Sequence, residues 1–172
     1  MDTETLSAWQ TVRDTLSHTP TYVYVLFAYL VWRGLKARRA GAAPLWRLAL
    51  IPALFTLMGL VNLATLHGLR VDTLALWLLA LGVGAALGLW MLRSAVLVPD
   101  RARGLLHRPA DYTVLPLILL AFAVKYAFGV MQGLAPALLQ TPLYARLDIL
   151  TSGFFAGVFV GKFVRYWRGY FG

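Results

Sequence analysis

The segment Asp148–Lys162, DILTSGFFAGVFVGK, decides the fold because it carries small and polar residues at helical spacing. Gly153, Gly157 and Gly161 are four residues apart, which places them on one stripe of an α-helix. Small residues in such a stripe let two helix backbones approach closely inside a membrane. The segment therefore predicts a transmembrane helix that packs tightly against a second helix.

The opposite face of this helix also predicts contact with protein. With a rotation of about 100° per residue, a second stripe that includes polar residues lies about 180° from the glycines. An earlier apolar run carries a further small-xxx-small pair, Gly84 and Gly88. Packing within one chain is the default prediction, because most such motifs serve the fold. Contact with a second copy of the chain, or with a protein partner, stays open. The second stripe contains Asp148, Thr151, Ser152, Phe155, Phe159 and Lys162.

The composition indicates that the whole chain resides in a membrane. Of its 172 residues, 60% are hydrophobic and 13% are charged, and the mean hydropathy is +0.69. In a soluble domain about a quarter of the residues are charged. The surplus of apolar residues in this chain therefore needs a bilayer as its solvent. The chain has no cysteine, which excludes disulfides, iron–sulfur clusters and cysteine–zinc sites.

Five apolar runs divide the chain, which we predict to be a single membrane domain over 1–172. The acidic stretch before the first run lacks the basic start of a signal peptide, so the first helix is expected to remain in the protein. The predicted fold is an all-α, polytopic transmembrane bundle of five helices. The helices cover 20–36, 48–67, 72–92, 112–134 and 148–166, an outer interfacial segment covers 1–19, and a cytoplasmic loop covers 94–110.

The basic residues predict the orientation of the bundle. Twelve of the 16 Lys and Arg residues flank the first and third connections and the C-terminus, against three on the opposite side. With five spans, this bias places the N-terminus outside and the C-terminus in the cytoplasm. Anionic lipid headgroups on the cytoplasmic side are the expected partners of a chain with net charge +9, and the scattered basic positions argue against nucleic acid. Four tryptophans fall near the same ends: Trp32, Trp46, Trp90 and Trp167.

Lys125 is the remaining basic residue, and it lies deep inside the fourth predicted helix. A charge there costs about 3 kcal/mol, so it should face the bundle interior or a water-filled cavity. It is either the centre of a substrate, ion or proton site, or a structural lysine that pairs with a carboxylate or reaches water. Asp148 is a candidate partner, but at the outer end of its predicted helix it would need helix tilt or an intervening water to reach Lys125.

Other polar residues gather in the predicted outer half of the bundle and complete a candidate intramembrane polar site with Lys125 and Asp148. They line an outward-facing cleft, or they form ordinary hydrogen bonds between helices, worth about 0.6 kcal/mol each. The second interpretation is favoured for Asn62 and Gln132, and a position at the membrane boundary is expected for His67. The further members of the set are Ser152 and, beside Lys125, Tyr126.

Signals of enzymatic activity are weak. The three histidines, His18, His67 and His107, lie in different regions and lack the paired His/Glu spacing that a metal site needs. No nucleophile elbow, phosphate loop or dinucleotide fingerprint occurs in the sequence. We therefore expect no enzyme, no cofactor and no bound metal.

Three short segments, HTPTYV (18–23), DRARG (100–104) and FAVKY (122–126), give the chain a resemblance to a known family. It resembles an uncharacterised family of small multi-pass bacterial inner-membrane proteins, a domain of unknown function. The resemblance implies a bacterial cytoplasmic membrane and no particular activity, and it places Lys125 and Tyr126 inside a resembling segment.

Two classes of function remain open at this point. In the first, the protein is a non-enzymatic accessory or assembly component that acts through lipid or protein contacts. In the second, it binds or moves a small solute or a proton at Lys125. The absence of an internal repeat argues against a complete secondary transporter in one chain.

Overall fold

A computed structural model describes residues 21–134 and 141–172, with side chains described for 24–131 and 141–172. The predicted segment 1–19 and the side chain of Gln132 lie outside the described residues. Five helices and three short strands follow one another in the described part of the chain. They are α1 (Thr21–Ala37), β1 (Gly41–Ala43), α2 (Leu45–Asn62, continued by a π-helical turn, Leu63–His67), α3 (Val71–Met91), β2 (Val98–Asp100), β3 (Leu105–Arg108), α4 (Val114–Leu134) and α5 (Pro142–Phe171).

Four helices of the described part are long and apolar enough to cross a membrane: α2 with its π turn, α3, α4 and α5. The chain is therefore a helix bundle of the kind that membranes accommodate, since every backbone group of a helix is satisfied within the segment. Helix α1 is described over 17 residues, which is below the length of about 20 that a span ordinarily needs.

Helices α3 and α5 form the closest pair in the bundle, and glycines line both sides of their contact. A Cβ atom added at Gly157 would collide with the backbone of Leu81, and one at Gly161 with that of Ala85. The contact is reciprocal, since a Cβ at Gly84 would meet the backbone of Phe154. The two helices thus pack backbone against backbone, within this chain.

Helix α5 is longer than predicted and occupies the centre of the bundle. It begins at Pro142 rather than 148, because proline is pre-organised for the first turn of a helix, and it ends at Phe171 rather than 166. The predicted bounds followed the apolar run, whereas the helix continues at both ends through polar positions such as Arg146 and Arg168. Twelve of its residues are buried, against two in the α-helical part of α2 and four in α3.

Helices α1 and α4 pack on each other and cover another side of α5. Leu30 and Ala37 of α1 join Val114 and Ile118 of α4 around Phe159 of α5 in one buried apolar cluster. The rings of Phe27 and Phe122 add to the contact between α1 and α4, with centroids 4.6 Å apart.

A three-stranded antiparallel sheet, with strand order β1-β3-β2, corrects the all-α prediction and replaces much of the expected loop 94–110. Ala42 pairs with His107, and Pro99 pairs with Leu106. Strands of three and four residues are too short to show a two-residue period, and β1 lies in a different connection from β2 and β3, so the pattern along the chain gave no signal. The buried Leu106 packs with Leu92 and Tyr166, which fixes the sheet against α5. We call this end of the bundle the sheet end.

Candidate functional site

The structure brings Lys125 and Asp148 into direct contact, with Lys125 Nζ 2.6 Å from Asp148 Oδ1. No intervening water is needed, and α5 begins six residues before Asp148, which places this residue well inside the helix. The Asp148 side chain is 10% exposed and that of Lys125 is 40% exposed. The pair therefore joins α4 to α5 at a point away from the sheet end.

The second oxygen of the Asp148 carboxylate faces two residues of α2. Asn62 Nδ2 donates to Oδ2 at 2.7 Å, and His67 Nε2 lies 2.9 Å from the same atom. We call these four residues, Asp148, Lys125, Asn62 and His67, the Asp148 network. Two helices thus supply polar groups to one buried carboxylate on a third, which satisfies both of its oxygens.

The π-helical turn explains why Asn62 and His67 reach the same oxygen. In a regular α-helix, residues five positions apart point about 140° away from each other. A π turn bonds residue i to residue i+5, so it brings His67 round to the face that carries Asn62. Gly68, with φ 75°, then ends the helix in a conformation that favours glycine. No pattern in the sequence distinguishes this turn from the α-helix before it.

Two other residues of the predicted site whose side chains are described, Ser152 and Tyr126, do not join this network. Ser152 is buried and lies against Gly59 of α2, where an added Cβ would be 3.0 Å from its hydroxyl oxygen. Tyr126 is 41% exposed. The structure therefore brings together Lys125, Asp148 and Asn62, and it adds His67, which we had expected at the membrane boundary.

A second ion pair, which the sequence did not single out, lies near the sheet end. Lys162 Nζ is 2.7 Å from Asp111 Oδ2 and also donates to the hydroxyl of Thr113. Lys162 had been counted among the basic residues of the C-terminal flank, but only 3% of it is exposed. Its place on the polar stripe with Asp148 was the available signal, since the two are 14 positions, or about 21 Å, apart along α5.

Asp111 lies in the turn before α4 and ties three elements together. Its backbone N–H donates to the carbonyl of Ala37 at the end of α1, and its Oδ1 accepts from the backbone N–H of Thr113 at 3.0 Å. Burial by itself would raise the pKa of the Asp111 carboxyl, but the Lys162 ammonium and the hydrogen bonds from Lys162 and Thr113 hold that pKa below its ordinary value.

A cavity of about 900 Å³ opens at the sheet end between α1, α2, the start of α4 and α5. Tyr112 and Phe163 contribute to its wall, and Pro52 and Phe159 close it toward the bundle interior. No acidic residue lines it among the described residues. Seven basic residues do: Arg33, Lys36, Arg38, Arg39, Arg47, Arg108 and Lys162.

Neutral groups, rather than carboxylates, hold most of these cations. Arg33 donates to the carbonyl of Arg47, Arg108 donates to that of Ala37 at 3.1 Å, and Lys36 lies over the ring of Trp32. Within the described part of the chain, Lys162 is the one cation of the seven that pairs with a carboxylate. The Nε atoms of Arg33 and Arg108 are buried and have no hydrogen-bond partner. Buried donors without partners are rare.

Comparison with known proteins assigns the chain to a family. It belongs to the Family of unknown function (DUF6622), whose match covers residues 5–169. A search of curated proteins and a search of solved structures each find no match. The resemblance to an uncharacterised family is therefore confirmed, and it carries no activity with it.

Proposed function

We propose that this member of a family of unknown function is a non-enzymatic accessory protein of the bacterial inner membrane that binds an anionic phospholipid headgroup in the basic cavity. The observation that carries the proposal is the cavity wall itself, with its seven cations. A phosphate group offers several acceptor oxygens and matches the planar fork of arginine. Basic pockets between helices on the cytoplasmic side are a known form of lipid headgroup site.

The proposal includes the orientation predicted from the basic residues, with five spans, the N-terminus outside and the sheet end in the cytoplasm. Anionic headgroups in that leaflet would then lie at the depth of the cavity. Trp32 is 54% exposed and Trp46 is 61% exposed at the adjoining helix ends, as tryptophans at the headgroup level often are.

A lipid fits the walls of the cavity better than a small soluble anion does. Trp32 and Leu35 both line the cavity and are largely exposed, so an apolar surface continues outward from the cationic wall. This surface would accommodate the start of the acyl chains while the phosphate contacts Arg33, Arg108 and Lys162. Binding at this place would also connect α1 to α5 across the cavity.

The orientation is tested with a fluorescent protein fused to the C-terminus, using a fluorophore that matures only in the cytoplasm. A bright fusion supports the proposal. A dark fusion of a protein that is made in normal amounts would place the sheet end outside and overturn it.

Lipid binding is tested by native mass spectrometry of the protein released from membranes that contain phosphatidylglycerol and phosphatidylcholine in equal parts. The wild type should retain phosphatidylglycerol selectively. In Arg33→Gln and in Arg108→Gln, retention should fall about tenfold, because a charge-assisted hydrogen bond is worth roughly 1.5–3 kcal/mol. Arg93→Gln is the matched control, since Arg93 lies near the same end, stacks on Trp90 and does not line the cavity.

Glycerol phosphate and inorganic phosphate, added as competitors, separate a headgroup from a free phosphate compound. Little displacement by either supports the lipid, and displacement at micromolar concentration would favour a soluble ligand. Equal retention of the two lipids, or equal loss of lipid in Arg93→Gln, would overturn the proposal.

A further inference from the structure

The Asp148 network lies away from the cavity and holds a titratable group that the proposed lipid site does not use. His67 is that group: it is the last residue of the candidate membrane span Leu45–His67, and its side chain is 13% exposed. Histidine ordinarily changes its charge between about pH 5 and pH 8, which makes it the residue of choice for sensing protons.

The hydrogen bonds define where a proton would bind. Asp148 is bonded to the Lys125 ammonium, and an ionised carboxylate can only accept hydrogen bonds. The ring nitrogen that faces it, Nε2 of His67, must therefore carry a hydrogen and donate it. In the neutral imidazole this leaves Nδ1 with a free lone pair. A proton from water forms the new N–H bond at Nδ1 and converts the ring to an imidazolium.

Protonation would change the charge balance around Asp148. Before it, one ammonium faces one carboxylate and the network is neutral. After it, two cations share that carboxylate, and Lys125 and the His67 ring repel each other from opposite oxygens. Asn62, which donates to the same oxygen as His67, has no charge to offset this.

The other charged groups near the network do not replace His67 in this role. On α3, Arg70 and Asp72 pair with each other at 3.2 Å and are both largely exposed. On α5, Arg146 is exposed, and on α4 the neighbour of Lys125 is the exposed Tyr126. In the described part of the chain, His67 and Lys125 are the two titratable residues that contact the Asp148 carboxylate.

Helix α4 is the element that would respond. It packs mainly on α1, and among the residues that the structure describes the pair of Lys125 and Asp148 links it to α5 on this side of the bundle. We propose that His67 is a proton-binding site and that its occupancy sets how firmly Lys125 holds α4 against α5. The π turn supports a functional interpretation of this residue, since such turns are frequent at functional sites and this one is what aims His67 at Asp148.

The experiment measures the distance between α4 and α3 with paired spin labels. The chain has no cysteine, so Gly129→Cys on α4 and Leu78→Cys on α3 label the protein without background. A Cβ at Gly129 would meet nothing within 4 Å, and Leu78 is 51% exposed, so both labels are tolerated. Distances are recorded in lipid nanodiscs at about pH 8 and at about pH 5.

In the otherwise unchanged protein, the mean distance should lengthen by about 1–2 Å or more at the lower pH, which is the usual size of a helix shift. His67→Gln keeps a side-chain N–H donor for Asp148 but cannot bind the proton, so its distance should not depend on pH. His107→Gln is the matched control, because His107 is exposed on β3 at the sheet end, and it should respond like the wild type.

Lys125→Leu keeps the proposal testable if His67→Gln does not fold. This variant should give one distance at both pH values, close to that of the wild type at the lower pH. A pH response that persists in His67→Gln or in Lys125→Leu would overturn the proposal, as would a wild-type distance that is the same at both pH values.

Discussion

The contact between α3 and α5 and the contact between α4 and α5 hold the same central helix by opposite means. On the α3 side, Gly153, Gly157 and Gly161 bring the backbones together, and no polar side chain is required. On the α4 side, two ion pairs about 21 Å apart along α5 flank an apolar cluster around Phe159. The first contact depends on shape alone, whereas the second depends on charge, which protons and anions can change.

Both candidate sites lie on the second kind of contact. Lys125 and Asp148 belong to the proton site that we propose, and Lys162 belongs to the cavity wall. A glycine contact cannot be adjusted by a ligand, because its energy comes from close backbone packing. The comparison therefore predicts that substitutions on the α3 side damage the fold, while those on the α4 side also change its response to pH and to lipid.

The largest effect is expected from Gly157→Val. The added side chain would collide with the backbone of Leu81, and a backbone cannot rotate away as a side chain can. The free energy of unfolding should fall by about 3 kcal/mol or more, at the upper end of the cost of overpacking. The measurement is reversible unfolding of the purified protein in detergent, followed by circular dichroism.

Gly82→Ala provides the control for that comparison, because Gly82 is on α3 but a Cβ there would meet nothing within 4 Å. Its stability should stay within about 1 kcal/mol of the wild type, since alanine is the better helix former. If Gly157→Val were as stable as Gly82→Ala, the two backbones could not be packed as described.

A smaller loss is expected from Asp148→Asn. The change keeps the shape of the side chain but leaves the Lys125 ammonium without its counter-charge. Removing one partner of a buried pair costs about 3–5 kcal/mol, and the partial exposure of Lys125 reduces the expected loss to about 2 kcal/mol. The same unfolding measurement gives the value.

Asp72→Asn is the matched carboxylate control, because Asp72 pairs with Arg70 in an exposed position. Exposed pairs are worth about 0–1 kcal/mol, so this variant should differ little from the wild type. A loss in Asp72→Asn equal to that in Asp148→Asn would mean that burial does not distinguish the two pairs.

The smallest effect is the pH dependence of the stability that Asp111 contributes, and this dependence appears only in acid. Its carboxyl has a lowered pKa in the folded protein, so the unfolded chain takes up the proton first as the pH falls below the ordinary value of 3.8. The stability that the wild type gains over Asp111→Asn should be constant above that pH and decline below it. Melting temperatures of the two proteins across this range measure the difference, and a difference that does not change with pH would contradict the expectation.

The periodicity of α5 predicted much of the fold, because a glycine at every fourth residue defines one face of the helix, whichever element packs against it. It did not identify Asp148 as a residue well inside its helix. Pro142 begins α5 six residues earlier than the apolar run suggests, so Asp148 lies well inside the helix, where it is in direct contact with Lys125. The direct contact was not predicted because a boundary error of six residues corresponds to about 9 Å along the helix axis.

His67 and Lys162 show the other limit. The hydropathy of the segment before His67 indicates an ordinary α-helix. Only the π turn directs the His67 side chain at Asp148. Lys162 lies among the basic residues near the C-terminus, which the sequence indicates to be an exposed flank. Only the turn before α4, which places Asp111 beside Lys162, explains how this lysine is buried. The π turn, the turn before α4 and the short sheet all lack a periodic pattern long enough to be recognised.

The sequence by itself determined that this chain forms an apolar helix bundle with a glycine stripe on one helix and a lysine inside another. These properties follow from the summed hydropathy of one segment or from the spacing of residues within it. They can therefore be predicted without knowing what packs against that segment. Only the tertiary structure decided which helix meets the glycines, which groups surround Asp148, and that seven cations line one cavity. Those outcomes depend on the rotation and the starting point of several helices at once, and no single segment encodes them.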